Sequence, residues 1–381
     1  MDRSKQELKA FYEERMYGIW RDGEEVSYEL MGPDPMGAPD APKPKNPFAI
    51  IGGDLVRVNV TKDGKKASFV IHAYIPEDDA RKAFEEKHKA CDRYQGLPFV
   101  ICMHPIFPKD HLLERGIAVL VLDILTVASD DIRHQGAFYE LYPYTEEPSS
   151  QTGALMAWAW GASKVLDAVY AGLNKEYGLD AEASMVTGVS RFGKATAVCG
   201  AFDDRFKLTV PACSGAGGLA LYGYFSEGKT YDLSSVGGDA RYTYSQNEPL
   251  SCLQSEGERG WFNDRFLEFT GPESFPVDQE GLPIMAMDPD RFYFVIAAYT
   301  GEDWVNAPSM WECFKRAEEV YRANGLSDHL VLHFHLVGHA VLDEDTDLIL
   351  PYFDRMYYGL DTFPDLGVLK TTAFAGQENG I

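Results

Sequence analysis

A serine stands at a place in the chain where it could act as a nucleophile. Residues 188–194 read GVSRFGK and lie between the apolar run ASMVT and the helical pattern KATAVCGAF. A hydrolase nucleophile needs a sharp turn from strand to helix, because that turn lifts the hydroxyl clear of the sheet. The match is imperfect, since Phe192 stands two residues after Ser190 and the second glycine, Gly193, comes one later. The same spacing fits a serine that only caps a helix, so the rest of the chain must decide.

A histidine follows Ser190 in the position that this chemistry requires. In α/β serine hydrolases the chain order is serine, acid, histidine, each at the carboxyl end of a strand. His339 comes directly after the last predicted strand, whereas His333 and His335 lie inside that strand and are interpreted as packed residues. His339 would take the proton of Ser190 and later give it to the leaving alcohol.

The acid of such a triad is expected in the segment TGEDW, which ends the predicted strand RFYFVIAAY. Either Glu302 or Asp303 could orient His339 and stabilise its imidazolium form. An acidic turn that faces solvent is the alternative. Three elements in the required order favour a triad.

Composition excludes several classes of partner. The chain has 381 residues, of which 45% are hydrophobic and 13% aromatic, as in a globular protein. Its formal net charge of −24 repels nucleic acids and anionic membranes, so neither is expected as a partner. Six cysteines without a C-x-x-C pair predict buried thiols rather than a disulfide framework or zinc site. We expect no metal and no cofactor.

The N-terminal segment MDRSKQELKAFYEERMYGIW is a charged amphipathic helix pattern. It resembles neither a signal peptide nor a membrane span. As written, the sequence predicts a cytoplasmic protein, and secretion after removal of a leader is the alternative.

The elements that must position these residues alternate along the chain. Continuous apolar strands separated by helices predict an α/β-hydrolase fold, a mostly parallel central sheet covered by helices on both faces. A hairpin is predicted around DGKK, before these strands. We expect a single domain, 1–381, with an N-terminal extension of about 1–50. Residues of about 215–288 are rich in Gly, Tyr, Ser and acids, and this insert is expected to be irregular and to cover the active site.

The central and C-terminal parts of the chain resemble the glucuronoyl esterases, the fifteenth carbohydrate esterase family. The likeness is carried by GVSRFGKATAVCGAFDDRFKLTVPACSGAGG, with arginine directly after the serine and lysine four after it. It continues in GALMAWAWG, GERGWFNDRF, FPVDQE and GEDWVNAP, over about residues 150–345. The resemblance implies hydrolysis of the ester between a glucuronic acid carboxyl on xylan and a lignin alcohol, through an acyl-enzyme on Ser190.

The resemblance also implies roles for other residues. Arg191 would help to form the oxyanion hole through its backbone N–H and guanidinium, and a cation suits the charge that develops there. Lys194 would hydrogen-bond sugar hydroxyls. Glu258 and Trp304 match uronate-binding positions, and a flat aromatic ring is also a natural platform for a sugar. Gln254 is the nearest candidate for a further binding glutamine.

The sequence departs from the family pattern in three places. Many members carry the acid where this chain has Cys213, and some bacterial members carry it where this chain has Glu302, so Glu302 is preferred and Asp303 is the fallback. The disulfide of fungal members would join positions that here are Val189 and Ala340, which indicates a bacterial type. CMHPIF, after the first core strand, resembles no HGGG-type loop, so the second oxyanion donor is not identified.

Two other functions remain open. One is an acetyl or other carbohydrate ester hydrolase on the same fold, which would differ in the 215–288 insert. The other is an inactive carbohydrate-binding homologue, suggested by Cys213, although Ser190 and His339 argue against it. The acidic run DEDTD at 343–347 is explained by a helix N-terminus and needs no ion. The expected partner is a glucuronate-bearing carbohydrate ester, and the oligomeric state is open.

Overall fold

The structure is a computed structural model of the whole chain. It describes residues 4–38, 40–42, 44–46, 49–103, 107–363 and 365–381. Residues 104–106 of the CMHPIF segment, where a second oxyanion donor was sought, lie outside the described residues.

The described residues contain a central sheet of nine strands in the order β1-β2-β3-β5-β4-β6-β7-β10-β11. Pairing is antiparallel from β1 to β5 and parallel from β5 to β11. The strands are β1 (Glu25–Pro33), β2 (Asp54–Lys62), β3 (Lys65–Tyr74), β4 (Leu97–Cys102), β5 (Ala118–Leu122), β6 (Leu179–Val189), β7 (Leu208–Ala212), β10 (Phe292–Thr300) and β11 (Leu330–Val337), with a separate two-stranded ribbon of β8 (Thr230–Tyr231) and β9 (Tyr242–Thr243). The fold is the predicted α/β-hydrolase fold with a mostly parallel sheet.

Helices connect and cover these strands. They are α1 (Lys5–Arg15), α2 (Asp78–His88), α3 (Lys109–Leu113), α4 (Ile124–Val127), α5 (Ala137–Leu141), α6 (Ala154–Ala168), α7 (Asn174–Tyr177), α8 (Arg191–Phe202), α9 (Leu250–Leu253), α10 (Gly281–Ala286), α11 (Ala307–Ala323) and α12 (Asp343–Tyr358). The parallel strands are almost wholly buried, as expected of strands covered on both faces. No helix among the described residues is long and apolar enough to cross a bilayer.

The hairpin around DGKK is present as β2 and β3, which pair in register from Asp54 opposite Ala73 to Lys62 opposite Lys65. The long helix predicted from GALMAWAWGASKVLDAVYAGL is shorter than its pattern. Regular α6 ends at Ala168, and a wider turn follows in which Gly172 has φ 133°, a conformation that a helix does not use.

Strand β1 was not predicted from the sequence. It lies within the N-terminal extension and is an edge strand, so most of its side chains stay exposed and the alternating burial of a half-buried strand is weak. Helix α2 was missed because it buries only Phe84 and His88 and its other residues are mostly charged.

The 215–288 insert is irregular, as predicted, with the β8–β9 ribbon and short helices as its only regular elements in the described part of the chain. Residues from the N-terminal and C-terminal segments of this chain bond to it. The hydroxyl of Tyr17 donates to the carbonyl of Gly217 at 2.9 Å, and the backbone N–H of Ile381 donates to Thr230 at 2.8 Å. The N-terminal extension therefore packs against the insert and supports the residues around the site.

Candidate active site

Ser190 lies at a strained turn between β6 and α8. Its φ of 64° and ψ of −130° are unfavourable for a residue with a side chain. The backbone N–H of Ser190 donates to the carbonyl of Ala212 on β7 at 3.0 Å, which ties the turn to the neighbouring strand. Such a held, strained turn is the geometry of a nucleophile elbow.

The displaced second glycine of the motif has a packing reason. A Cβ on Gly193 would lie 2.2 Å from the carbonyl oxygen of Ala212, and a Cβ on Gly188 would lie 2.6 Å from that of Phe192. Both glycines let α8 approach the sheet closely. The elbow therefore needs glycine at 193, and Phe192 packs against Trp158 on α6 instead.

His339 and Glu302 form a close pair. Nδ1 of His339 lies 2.6 Å from Oε2 of Glu302, whose side chain is almost fully buried at 2% exposure. The other oxygen of Glu302 accepts the backbone N–H of Ala298 at 2.7 Å. The carboxylate is thus fixed at both oxygens, and it holds the proton of His339 on Nδ1 so that Nε2 is free to accept one.

Ser190 and His339 lie at the carboxyl ends of β6 and β11, on the same side of the parallel sheet. Cys213, one residue after the carbonyl that holds Ser190, directs its thiol to the carbonyl of Ala340 at 3.7 Å. In the described residues the hydroxyl of Ser190 has no hydrogen bond of its own, so its transfer of a proton to His339 stays a prediction. Catalytic contacts of this kind often tighten only when substrate binds.

Cys213 stands where the resemblance to the glucuronoyl esterases would place an acid. Its thiol lies within 4.8 Å of the polar atoms of Glu302 and His339. Burial and the Glu302 carboxylate both raise the pKa of this thiol well above its usual value, so it stays protonated. Cys213 therefore lies beside the pair as a neutral group.

Asp303, the alternative acid, points away from His339. Its carboxylate accepts hydrogen bonds from the hydroxyl of Tyr242 at 2.6 Å and from the backbone and hydroxyl of Ser245 at 2.8 and 2.7 Å. Burial and this carboxylate raise the pKa of Tyr242 to about 12. Asp303 therefore has a structural role, because its hydrogen bonds connect the insert to the loop after β10.

Arg191 follows the serine and is half exposed. Its Nε lies 2.9 Å from Oδ2 of Asp130, and Asp130 also accepts the indole N–H of Trp261 at 2.7 Å. The Arg191 guanidinium lies 5.8 Å from the centre of the Trp261 ring. Sequence reasoning did not single out Asp130, because a lone aspartate in a loop carries no motif. Trp261, at 4% exposure, is a buried residue that packs under Arg191 rather than an open sugar platform.

Lys194 is buried on α8, at 4% exposure. Its ammonium donates to the carbonyls of Ser214 at 2.9 Å and Ala216 at 2.6 Å, and to Oε2 of Glu248 at 2.7 Å. These three bonds use all three of its protons. Lys194 therefore holds the insert loop and Glu248 in place, and a sugar hydroxyl could bind it only by displacing one of these partners.

Glu258 lies close to Glu248, the carboxylate that Lys194 holds. The polar atoms of Glu248, Cys252 and Glu258 all lie within 4.8 Å of one another, and Oε2 of Glu258 is buried without a hydrogen-bond partner among the described residues. Burial and the charge of Glu248 raise the pKa of Glu258. An acceptor oxygen in this state suits a hydroxyl donor from a ligand.

Trp304 forms an open aromatic surface at the site. The residue is 37% exposed, and the centre of its ring lies 5.2 Å from that of His339. Its backbone carbonyl accepts the N–H of Glu248 at 3.0 Å. The loop after β10 thus brings the acid, the aromatic surface and the insert together.

Gln254 does not join this group. Its amide N–H groups donate to the backbone carbonyls of Phe266 and Phe269, both at 2.9 Å, so they brace the insert. The geometry does not support the interpretation of Gln254 as a sugar ligand, which rested on the family resemblance. Glu248, six residues earlier, is the insert residue whose side chain bonds to Lys194, and its place beside Lys194 in the fold is what reveals it.

Comparisons with known proteins show which family this chain resembles. The family profile described as "Glucuronyl esterase, fungi" matches residues 58–325. A multidomain esterase of Ruminococcus flavefaciens is 42% identical over 98% of this chain and 46% of its own length. A 4-O-methyl-glucuronoyl methylesterase of Hypocrea jecorina is 34% identical over 76% of this chain and 55% of its own length. The chain spans about half the length of these curated relatives.

A solved structure is similar over nearly the whole chain. A carbohydrate esterase family 15 glucuronoyl esterase from Caldicellulosiruptor kristjansonii matches with a TM-score of 0.79 and 31% identity. The match covers 97% of this chain and 87% of that one. The family profile, the relatives and the fold agree, and the chain therefore belongs to the glucuronoyl esterase family.

Proposed function

We propose that this protein hydrolyses esters of glucuronic acid, in particular (4-O-methyl-)glucuronoyl esters that join xylan to lignin alcohols. The observation that carries the proposal is the Glu302–His339 pair at the same sheet edge as the strained Ser190. Curated relatives named 4-O-methyl-glucuronoyl methylesterase support the substrate class. The polar group of Glu248 and Glu258 beside the open Trp304 ring suits a sugar with several hydroxyls.

The reaction proceeds in two steps. His339 takes the proton of the Ser190 hydroxyl while the oxygen attacks the ester carbonyl, and it then gives that proton to the departing alcohol. The sugar acid is left as an ester on Ser190. A water attacks this acyl-enzyme with His339 again as the base, which releases the uronic acid and restores the serine.

Two charges develop in the transition state, one negative on the ester oxygen and one positive on His339. The oxyanion is stabilised by the backbone N–H and guanidinium of Arg191, which Asp130 holds in place at 2.9 Å. The imidazolium of His339 is stabilised by Glu302, whose buried carboxylate needs no rearrangement. Glu258 accepts a sugar hydroxyl and Trp304 packs against the sugar ring.

The test compares a glucuronoyl ester with an acetyl ester. Purified protein is given benzyl glucuronate and an acetylated sugar, with Ser190→Ala as the blank. The proposal expects a clearly higher kcat/KM for the glucuronate than for the acetylated sugar, and no hydrolysis of either ester by Ser190→Ala. A preference for the acetate would instead support the acetyl esterase alternative, and hydrolysis of neither would contradict the proposed function.

A further inference from the structure

The loop that carries His339 is closed at its base by two buried side chains. Residues 338–342 join β11 to α12. At the first end, Nε2 of His335 lies 3.0 Å from the carbonyl oxygen of Gly338. At the other end, the backbone N–H of Leu342 donates to Oδ2 of Asp345 at 2.7 Å. Nδ1 of His335 lies 3.1 Å from Asp345, so these contacts form one connected path across the loop.

The partners of His335 determine its protonation state. Both ring nitrogens face acceptors, a carbonyl oxygen and a carboxylate that already accepts an N–H from Leu342. A neutral imidazole can donate from one nitrogen only, whereas an imidazolium donates from both. Both contacts are hydrogen bonds only when His335 carries its second proton.

Charges around His335 favour that proton. Asp345 on α12 is fully buried and in contact, and Glu302 on the loop after β10 adds a second negative charge. His333, on the same strand, lies 3.5 Å from Asp345, and burial lowers its pKa, so it stays neutral. The nearby thiol of Cys213 is protonated and adds no charge. Burial opposes the cation at His335, but Asp345 outweighs it and the pKa of His335 is raised.

We propose that His335 is a positioning residue, which as an imidazolium bonded to Asp345 and Gly338 holds the loop of His339 in its catalytic place. The inference rests on the proposed function, because it takes His339 as the general base. Ester hydrolysis then has a falling alkaline limb that comes from His335 and not from the triad itself. The two interpretations differ, since the triad alone requires only that His339 be neutral, which a high pH favours.

Loss of this proton acts on the chemical step. Either the Gly338 carbonyl or Asp345 then loses its hydrogen bond to His335, and the loop is free to shift. A misplacement of about 1 Å in a catalytic group can cost about a hundredfold in rate. His335 does not line the sugar-binding group of Glu248, Glu258 and Trp304, so KM is expected to stay the same.

The first experiment measures kcat and KM for benzyl glucuronate across the neutral and alkaline range. The variants are wild type, His335→Gln and, as the matched control, His333→Gln, which touches Asp345 but not the loop. Glutamine at 335 is expected to lower kcat by about tenfold to a hundredfold at neutral pH, with KM within about twofold, and to remove the alkaline fall. The control should match wild type. A His335→Gln enzyme with wild-type kcat and an unchanged alkaline limb would overturn the inference.

The second experiment does not depend on a variant that folds. Nitrogen NMR of wild type labelled in its histidines is expected to show His335 with both nitrogens protonated at neutral pH. A neutral His335 in an active wild type would overturn this inference alone. A wild type that hydrolyses no uronate ester would instead contradict the proposed function, so the two failures are distinguishable.

Discussion

Replacement of Glu302 by glutamine is expected to remove nearly all activity, and the structure shows by which route. One oxygen of Glu302 accepts the N–H of Ala298 and the other faces Nδ1 of His339. A glutamine has one acceptor and one donor end. Its amide oxygen must stay on Ala298, because two N–H groups cannot face each other, so its NH₂ group must point at His339.

The histidine must then change its tautomer. Facing a donor, Nδ1 of His339 becomes the acceptor and the ring proton moves to Nε2, which can no longer take the proton of Ser190. The stabilising negative charge is lost as well. A wrong tautomer of this kind costs about 10⁴-fold in kcat, or about 5.4 kcal/mol of transition-state stabilisation.

The assay is kcat on benzyl glucuronate for Glu302→Gln, with Asp303→Asn and Cys213→Ala as controls. Both controls should keep kcat within about tenfold of wild type, because Asp303 bonds to the insert and Cys213 is a neutral thiol. If Glu302→Gln stays within tenfold of wild type, or if Asp303→Asn is the crippled variant, the reasoning fails.

Four further outcomes are expected. Ser190→Ala should lower kcat by several orders of magnitude on any ester, because nothing else supplies the covalent step, and an active-site serine reagent should no longer label it. Lys194→Met should lower the free energy of unfolding by about 3–5 kcal/mol in urea denaturation, since it leaves the partly buried Glu248 and two loop carbonyls without the buried cation, and an unchanged midpoint would refute this role. Trp304→Ala should raise KM with a smaller effect on kcat, whereas Trp304→Phe should restore most of the affinity. Folding raises the pKa of Glu258, so the ionised carboxylate at neutral pH lowers the stability of the folded protein. Glu258→Gln should therefore have a higher free energy of unfolding than wild type at neutral pH. This difference should vanish as the pH falls below the ordinary carboxyl range, where Glu258 is protonated in both the folded and the unfolded state.

The order of the site residues could be predicted from the sequence because chain order and strand ends are local properties. Ser190, Glu302 and His339 each follow an apolar run that the sequence identifies as a strand, and parallel strands bring their carboxyl ends to one edge. The α/β-hydrolase fold follows from the same runs. Strand β1 could not be predicted in this way, because an exposed edge strand leaves no burial pattern to read.

The tertiary structure decided which of two adjacent acidic residues pairs with His339. Glu302 and Asp303 are adjacent and both acidic, but the turn after β10 directs one carboxylate inward to His339 and the other to the insert. The direction of a side chain depends on backbone angles and on what packs around it, and a list of residue types contains neither.

The residues proposed to bind the sugar could not be identified fully from the sequence either. The family resemblance made Gln254 the nearest candidate, yet it is the side chain of Glu248 that bonds to Lys194. The insert is irregular, and its residues reach the site through contacts with both terminal segments and the loop after β10. His335, interpreted from its strand as a packed residue, is buried as expected, but its two acceptors come from a loop and a helix that the strand pattern does not specify. Residue types and their order along the chain determined the chemistry available to this protein, whereas long-range packing determined which copies of each residue type perform it.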